Sequence, residues 1–398
     1  MVDEAVILAA GEGTRLRPFT EDVPKVMLPV ANKPIVEYVV KSLSGIGIKR
    51  IVMVVGYRKE SIMKYFGEGK KFGVKIVYAT QEKQLGTGHA LMQAKNYVEK
   101  DEFLVLPGDN IIDEKSLAKI LESDFPSLLV AESDFPSKYG VVEMRDGVIS
   151  KLSEKPEKAE SKLISTGIYK LRKDIFEILE EMLRKGKTML TDAVSIFVEE
   201  RNLKGIKIDG EWRDAVYPWN LLEINSHLLK ELKPSIAGKI EKNVTIKGNV
   251  VIGEGTIVKA GSYIEGPVII GKNCEIGPNT CIFPSTSIGD NVVIHPFSEI
   301  KNSIIMDDTI IGSSSFISNS VVGRGTEIHS HFSTINGEVT KIVDKEIMKI
   351  ERVGSFIGSD CVIGANVVVE AGKIIGKGCK ISSNNVVKDD IPNGSMVI

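Results

Sequence analysis

The sequence predicts an α/β domain followed by a stack of short β-strands wound into coils, and two rhythms carry that prediction. Up to about residue 235, short apolar runs alternate with amphipathic stretches. Beyond it, one aliphatic residue returns every six positions. At 398 residues the chain is long for one compact domain and comfortable for two, so residues 1–235 and 236–398 are the expected domains.

The elements of the first part follow from local pattern. Ala5–Ala10, Ile51–Val55, Val74–Tyr78, Phe103–Leu106 and Leu128–Ala131 are short apolar runs that read as buried strands. Ile35–Leu43, Ser61–Phe66, His89–Val98 and Lys115–Leu121 place apolar residues at helical spacing. Their alternation predicts a mostly parallel sheet with helices on both faces. Ligands of such sheets bind beyond the carboxyl ends of the strands. A helix over Trp219–Leu232, stopped by Pro234, bridges to the second part.

In the second part Ile240, Ile246, Ile252, Val258, Ile264, Ile270, Ile276, Ile282, Ile288, Ile294, Ile300 and Met306 keep the six-residue interval. Ile357, Ile363, Val369, Ile375, Ile381 and Val387 resume it. A helix does not use period six, and a flat strand uses period two. A prism with three short strands per coil does use it, each corner inserting one aliphatic side chain. The glycines that follow, such as Gly253, Gly271 and Gly289, are expected to allow the turns. Each buried Ile contributes roughly 2 kcal/mol, so stacked coils sum to a stable rod. The hexapeptide form resembles the left-handed parallel β-helix family, which implies a homo-oligomer, a trimer or a dimer of trimers. Between Asn319 and Gly354 the register slips, and about 335–353 is charged, reading as an irregular loop.

Composition narrows the function classes. The apolar and charged fractions, 42% and 26%, are those of an ordinary globular protein. A net charge of −2 gives no electrostatic footprint for nucleic acid. No apolar run approaches the roughly 20 residues that cross a bilayer, so no membrane partner and a cytoplasmic location are expected. Cys274, Cys281, Cys361 and Cys379 match no zinc spacing, and three of them share one small-residue position of the repeat, which favours buried thiols.

The chemistry begins directly after the first strand, with Leu8 and Ala10 leading into Gly11-Glu12-Gly13-Thr14-Arg15-Leu16-Arg17-Pro18, then Thr20 and Pro24-Lys25. Glycines let backbone amides close on a polyphosphate, Arg15 can fork onto phosphate oxygens, and Lys25 adds a point charge. Neither the dinucleotide fingerprint nor Walker A is complete here. The full string nevertheless resembles the signature of the sugar-1-phosphate nucleotidylyltransferases, in order through Gln81, Gly86-Thr87-Gly88, Gly108-Asp109, Tyr139-Gly140, Glu154-Lys155-Pro156, Thr166-Gly167 and Trp212-Arg213-Asp214.

That resemblance implies a Rossmann-like nucleotide-diphospho-sugar transferase domain. It also implies Mg²⁺-dependent attack of a hexose-1-phosphate on UTP or dTTP, with pyrophosphate released. Arg15, Lys25 and Asp109 are then catalytic, and Asp109 and Asp214 hold Mg²⁺, a cation suited to hard oxygen ligands. Leu8, Ala10, Gly11, Gly13, Thr14, Gln81, Gly86 and Thr87 cradle the nucleotide, with Gln81 reading a pyrimidine edge. Gly140, Glu154, Lys155 and Thr166 face the sugar phosphate. The bland alternatives are a helix cap for Asp109, a surface charge for Asp214, a plain polar residue for Gln81, and a solvated pair for Glu154 and Lys155. His89 reads as a structural residue at a helix start.

The N-acetylglucosamine branch has Asn before Thr-Gly, where this chain has Ser165. Bifunctional relatives also acetylate an amino-sugar phosphate with acetyl-CoA, through a His base and a Tyr. Ser313 and Phe316 stand at those places here, whereas Asn336, Lys349 and Arg352 keep the pattern's polar or basic character. Serine is no base near neutral pH. His331, eighteen residues after Ser313, is the candidate replacement. A non-catalytic regulatory or assembly subunit is the reading from another class, opposed by the full set of charges at residues 15, 25, 109 and 214.

Overall fold

The computed structural model describes residues 2–124, 126–200, 203–343 and 346–398. By internal contacts the chain divides into two compact units. The first holds the residues up to Glu12, Val23–Met27 and Pro34–Asp214, and the second holds Gly13–Asp22, Leu28–Lys33 and Ala215–Ile398.

The first unit is built on a nine-stranded sheet. Its order is Lys75–Thr80, Arg50–Val55, Glu4–Ala9, Glu102–Pro107, Leu163–Arg172, Ser127–Glu132, Lys204–Lys207, Val148–Glu154 and Gly140–Arg145. The first four strands are mutually parallel, as the alternation predicts. The sheet then departs from that expectation. Leu163–Arg172 runs antiparallel to both of its neighbours, and the hairpin of Gly140–Arg145 and Val148–Glu154 fills the edge. Those late strands are half-exposed and mixed in polarity, so no continuous apolar run marks them. Two apolar layers flank the sheet: one gathers Val6, Val52, Val105 and Leu128 with Phe176 and Phe197, the other Ile7, Met53, Leu104 and Leu129 with Val36 and Leu117. Alternate residues of one strand go to opposite layers, as the pleat requires.

The second unit is a left-handed parallel β-helix of three sheets with eight, nine and eight strands. Ile252, Ile270, Ile288, Ile305, Val322, Ile357 and Ile375 form one interior column, all essentially inaccessible to solvent. The helix Pro218–Lys230 belongs to this unit and packs on one face of the coils, with Trp219 6.3 Å from Phe356 between ring centroids. Asn225 ties the packing together, accepting from Ala31 N at 2.8 Å and donating to Ser285 O at 3.0 Å.

Three details differ from the sequence reading. First, Met306 is not a corner residue: Ile305 stacks on Ile288, and the corner after Ile317 is Val322. The coils there are one residue shorter, so the strict interval breaks at Ile300. Second, Gly253, Gly271 and Gly289 do not make the turns. A Cβ on Gly253 or Gly271 would lie 2.5 Å from the carbonyl oxygen of the next coil, so these glycines permit close stacking. The left-handed turns fall instead on residues such as Asn273, Asn279, Asn291 and Asn384, whose φ lies between 54° and 63°. Asn291 Nδ2 also donates to Asp308 Oδ1 of the next coil at 2.9 Å. Third, the stretch about 335–353 is regular: Gly337–Val343 and Glu346–Val353 form an antiparallel ribbon, with positions 344 and 345 outside the described residues. Val321 pairs with Phe356, so the ribbon is an insertion within one coil. Among the described residues no helix is long and apolar enough to cross a membrane.

Candidate active site

The strand Glu102–Pro107 delivers Asp109 to the carboxyl edge of the sheet. The chain turns there at Gly108, whose N–H donates to Leu8 O at 2.9 Å. A Cβ on Gly108 would meet Val26 and Ile7 at 3.1 and 3.2 Å, so any larger residue would have to push those side chains aside by a few tenths of an ångström. Trp212–Asp214 then pairs antiparallel with Asn110–Ile112, setting Asp214 opposite Asn110. This pairing brings two aspartates a hundred residues apart to one place.

Lys25 completes the group. Its ammonium forms an ion pair with Asp109 and lies 3.8 Å from Asp214 Oδ1, and all three side chains are less than a fifth exposed. The bland alternatives for the aspartates fail on this geometry. The helix Glu114–Leu121 is capped by Asp113, which accepts from Ser116 N at 2.8 Å, and Asp214 is turned inward toward a cation. Among the described residues no group of three or more His, Cys, Asp or Glu gathers to hold a metal. The donor set is therefore two carboxylates around a positive charge. It fits a hard divalent ion that completes its shell with phosphate oxygens and water.

A second group surrounds Gln81, which follows the strand Lys75–Thr80 and is buried. Its amide Nε2 lies 3.1 Å from Gly86 O and 2.9 Å from His89 Nδ1. A carbonyl oxygen accepts only, so the nitrogen must face Gly86, and Oε1 is the end left for a ligand. His89 thus starts a helix, Thr87–Gln93, and also orients Gln81. Thr87 spends its hydroxyl oxygen on Leu190 N at 2.9 Å, at the start of the helix Leu190–Glu199. Gly86 adopts φ 135°, and a Cβ there would lie 2.7 Å from Thr188 O. Ala10 is buried and its carbonyl accepts from Tyr57 N at 3.2 Å, while Leu8 is half-buried and Gly11 exposed.

A third group forms in the edge hairpin. Gly140 pairs with Glu154, and a Cβ on Gly140 would stand 3.5 Å from Glu154 Oε2 and 3.4 Å from Ser165 Cβ. Lys155 sits at a left-handed turn, φ 42°, with its N–H donating to Tyr139 O at 3.1 Å. Thr166 is buried, its hydroxyl donating to Leu129 O at 2.8 Å, which commits that side chain to the sheet. Ser165 Oγ lies 3.2 Å from Tyr169 OH and accepts from Gly167 N at 3.2 Å.

Gly13, Thr14 and Arg15 fall in the second unit. Gly13 takes φ 70° and starts a 3₁₀ turn, Thr14–Leu16, in which Thr14 and Arg15 are exposed. In the same unit, His331 N donates to Ser313 O at 2.8 Å, one coil apart. Asn336 Nδ2 donates to Ser318 Oγ at 2.7 Å, and Lys349 pairs with Glu338 at 2.9 Å.

The sequence reading missed two residues. Asn110, beside Asp109, is buried and donates to Thr166 O at 2.9 Å, linking the first and third groups. Gly56, after the strand Arg50–Val55, has no room for a Cβ, which would lie 2.8 Å from Gln81 O and 2.9 Å from Ala10 O. Position at a strand's carboxyl end was the available signal for both.

Residues 4–231 match the family described as Nucleotidyl transferase, 264–353 the GMPPB C-terminal domain, and 356–388 the hexapeptide repeat of succinyl-transferase. Over 99% of its length the chain is similar to the Bifunctional protein GlmU of Methanococcus maripaludis strain C5, with 40% identity and 97% of that protein covered. It is 35% identical to a bifunctional sugar-1-phosphate nucleotidylyltransferase/acetyltransferase of Sulfurisphaera tokodaii, covering 98% of each chain. It is 32% identical to a glucose-1-phosphate thymidylyltransferase of Streptomyces antibioticus, over 87% of this chain and 99% of that one. Among solved structures, a UDP-glucose pyrophosphorylase complexed with UDP-glucose superposes with a TM-score of 0.53 at 26% identity, over 58% of this chain and all of that one.

Proposed function

This chain belongs to the nucleotidyl transferase family, and we propose that it joins UTP or dTTP to a hexose-1-phosphate, giving a nucleotide sugar and pyrophosphate. The observation that carries the proposal is the meeting of Lys25 with Asp109 and Asp214 at the carboxyl edge of the sheet.

The proposed reaction is an in-line displacement. An oxygen of the sugar phosphate attacks the α-phosphorus, one P–O bond forms, and the α–β bridging P–O bond breaks as pyrophosphate leaves with the electron pair. No protein nucleophile is required; alignment and charge neutralisation are. We assign Arg15 and Lys25 to phosphate oxygens, with Gly11, Gly13 and Thr14 supplying backbone room and amides. Asp109 and Asp214 would hold Mg²⁺, which when bound neutralises phosphate charge.

Gln81 is assigned to the base, within a cradle of Leu8, Ala10, Gly86 and Thr87. With Nε2 committed to Gly86 O and His89, its Oε1 accepts a hydrogen bond. Uracil and thymine donate one from N3, whereas cytosine accepts there, so UTP and dTTP are favoured over CTP. Gly140, Glu154 and Lys155 are assigned to the sugar phosphate, with the Glu154 carboxylate accepting from sugar hydroxyls. Thr166 supports this group from below through the Asn110 bond.

In this reading residues 1–235 carry transfer, and 236–398 assemble a homo-oligomer, a trimer or a dimer of trimers. A cytoplasmic setting agrees with four free cysteines, since reducing compartments keep thiols unpaired. A second reading, acetyl transfer from acetyl-CoA to an amino-sugar phosphate, is favoured by one observation. His331 stacks one coil from Ser313 and would supply the base that serine lacks.

The test is pyrophosphate release over a grid of nucleotides and sugar 1-phosphates, with thiol release from acetyl-CoA followed alongside. No pyrophosphate released with any nucleotide in the grid would sink the transfer reading in favour of a non-catalytic subunit. Release of CoA that survives His331→Ala would sink the assigned base.

A further inference from the structure

The segment Gly13–Asp22 carries Arg15 and is closed on itself. Leu16 N donates to Gly13 O at 2.9 Å, and Thr20 Oγ1 donates to the same oxygen at 2.8 Å. Leu16, Phe19 and Thr20 are buried. The far end of the segment is held by residues from the other end of the sequence. Asp22 forms an ion pair with Lys377, whose ammonium also lies 3.5 Å from Asp360 Oδ2. The neighbouring Glu21 accepts from Asn393 Nδ2 at 2.9 Å.

Asn393 is itself fixed, because its Oδ1 accepts from Lys377 N at 2.8 Å. Glu21 also faces Arg17 at 3.5 Å. Two consecutive loop residues are therefore tied to two consecutive coils, by side chains already anchored in those coils. The coils have no need of these bonds. Their strands are closed by their own ladder, in which Lys380 pairs with Met396 and Val362 with Lys380.

We propose that Lys377 and Asn393 are positioning residues for nucleotidyl transfer: the last coils of the β-helix hold the loop 13–22 in the shape that presents Arg15 to the triphosphate. This rests on the assignment of Arg15 made under the proposed function. A loop that loses two of its ties populates its competent shape less often, and apparent affinity falls in proportion to that fraction. Each tie is partly exposed, so each alone is worth a small factor, about two- to five-fold. Together they act on one loop.

The experiment uses the full-length protein with Lys377→Ala, Asn393→Ala and the double variant. KM for the nucleotide should rise about three-fold in each single variant and about ten-fold in the double. KM for the sugar phosphate should stay unchanged. In an Arg15→Ala background the same changes should have no further effect on nucleotide KM, since the group they position is gone. Unchanged nucleotide KM in the double variant overturns the proposal, as does a loss of the same size in the Arg15→Ala background.

Hydrogen exchange of the peptide covering 13–22, read by mass spectrometry without substrate, separates this proposal from the function it rests on. Faster exchange in the double variant supports the tether even where no pyrophosphate is released. Unchanged exchange removes the tether whatever the activity.

Discussion

Lys25 is the residue whose replacement says most about the site. Its ammonium contacts Asp109 and stands 3.8 Å from Asp214 Oδ1, with the three side chains 17–19% exposed. Two unit charges at about 4 Å interact by about 4 kcal/mol at an effective dielectric of about 20. Desolvation takes back part of this, and a hydrogen bond to a charged group nets about 1.5–3 kcal/mol. Lys25→Met deletes the cation and leaves both carboxylates facing one another. A divalent ion then enters without displacing an ammonium, so Mn²⁺, used as the probe of the proposed cation site, should bind the nucleotide-free protein about 10- to 100-fold more tightly. Turnover should fall by about 10²–10³, because the charge proposed to neutralise the phosphates is lost. Electron paramagnetic resonance of free Mn²⁺ measures the first quantity, and pyrophosphate release the second. Equal or weaker Mn²⁺ binding by the variant would refute the idea that the aspartates form one cation site. Turnover within about three-fold of the parent would refute the phosphate role.

Three further outcomes follow from single features. Asp109→Asn should lower turnover by about 10² or more with the melting temperature little changed, since Asp113 and not Asp109 caps the next helix; full activity would remove Asp109 from the site. Gln81→Ala should cut the kcat/KM preference for UTP over CTP by about 10-fold, the worth of one hydrogen bond; an unchanged ratio would free Gln81 from base selection. Burial pushes the Cys361 thiol up from 9.0 to about 11. The unfolded chain then loses that proton first, so the melting temperature should fall as pH rises from about 9 to about 11. In Cys361→Ala that slope should be shallower, and an identical slope would show that this thiol does not contribute.

The β-helix was legible because its repeat is covalent bookkeeping of a geometric unit: one aliphatic side chain per corner, one corner per six residues. What the pattern hid was the one-residue deletion that moves the corner from Met306 to Ile305, since both are apolar and only stacking on Ile288 separates them. The glycines of the repeat serve the stacking of coils and not the turns. A Cβ at Gly253 would strike the coil below, a constraint that exists only between coils, whereas the turn itself is taken by residues such as Asn273. The ribbon within 337–353 went unread because its strands carry charges on a half-exposed surface. An insertion of that kind has no apolar alternation to reveal it.

The group formed by Lys25, Asp109 and Asp214 shows the opposite limit. Gly108-Asp109 was readable from its place after an apolar strand, but nothing local to Trp212-Arg213-Asp214 indicates a partner. The two meet because Asp214 lies across from Asn110 in a two-stranded antiparallel pairing, and Asn110 in turn donates to Thr166 O. Register in such a pair alternates faces with every residue. A one-residue slip would carry Asp214 to the other face and set Arg213 beside Lys25, cation against cation. The buried amide of Asn110, by donating to Thr166 O, holds the strand Asn110–Ile112 against the main sheet, so the edge on which Trp212–Asp214 pairs is itself fixed. A motif made of residues a hundred positions apart therefore forms on a strand whose anchor, Asn110, lies outside the motif, and that anchor could be found only once the strands were seen together.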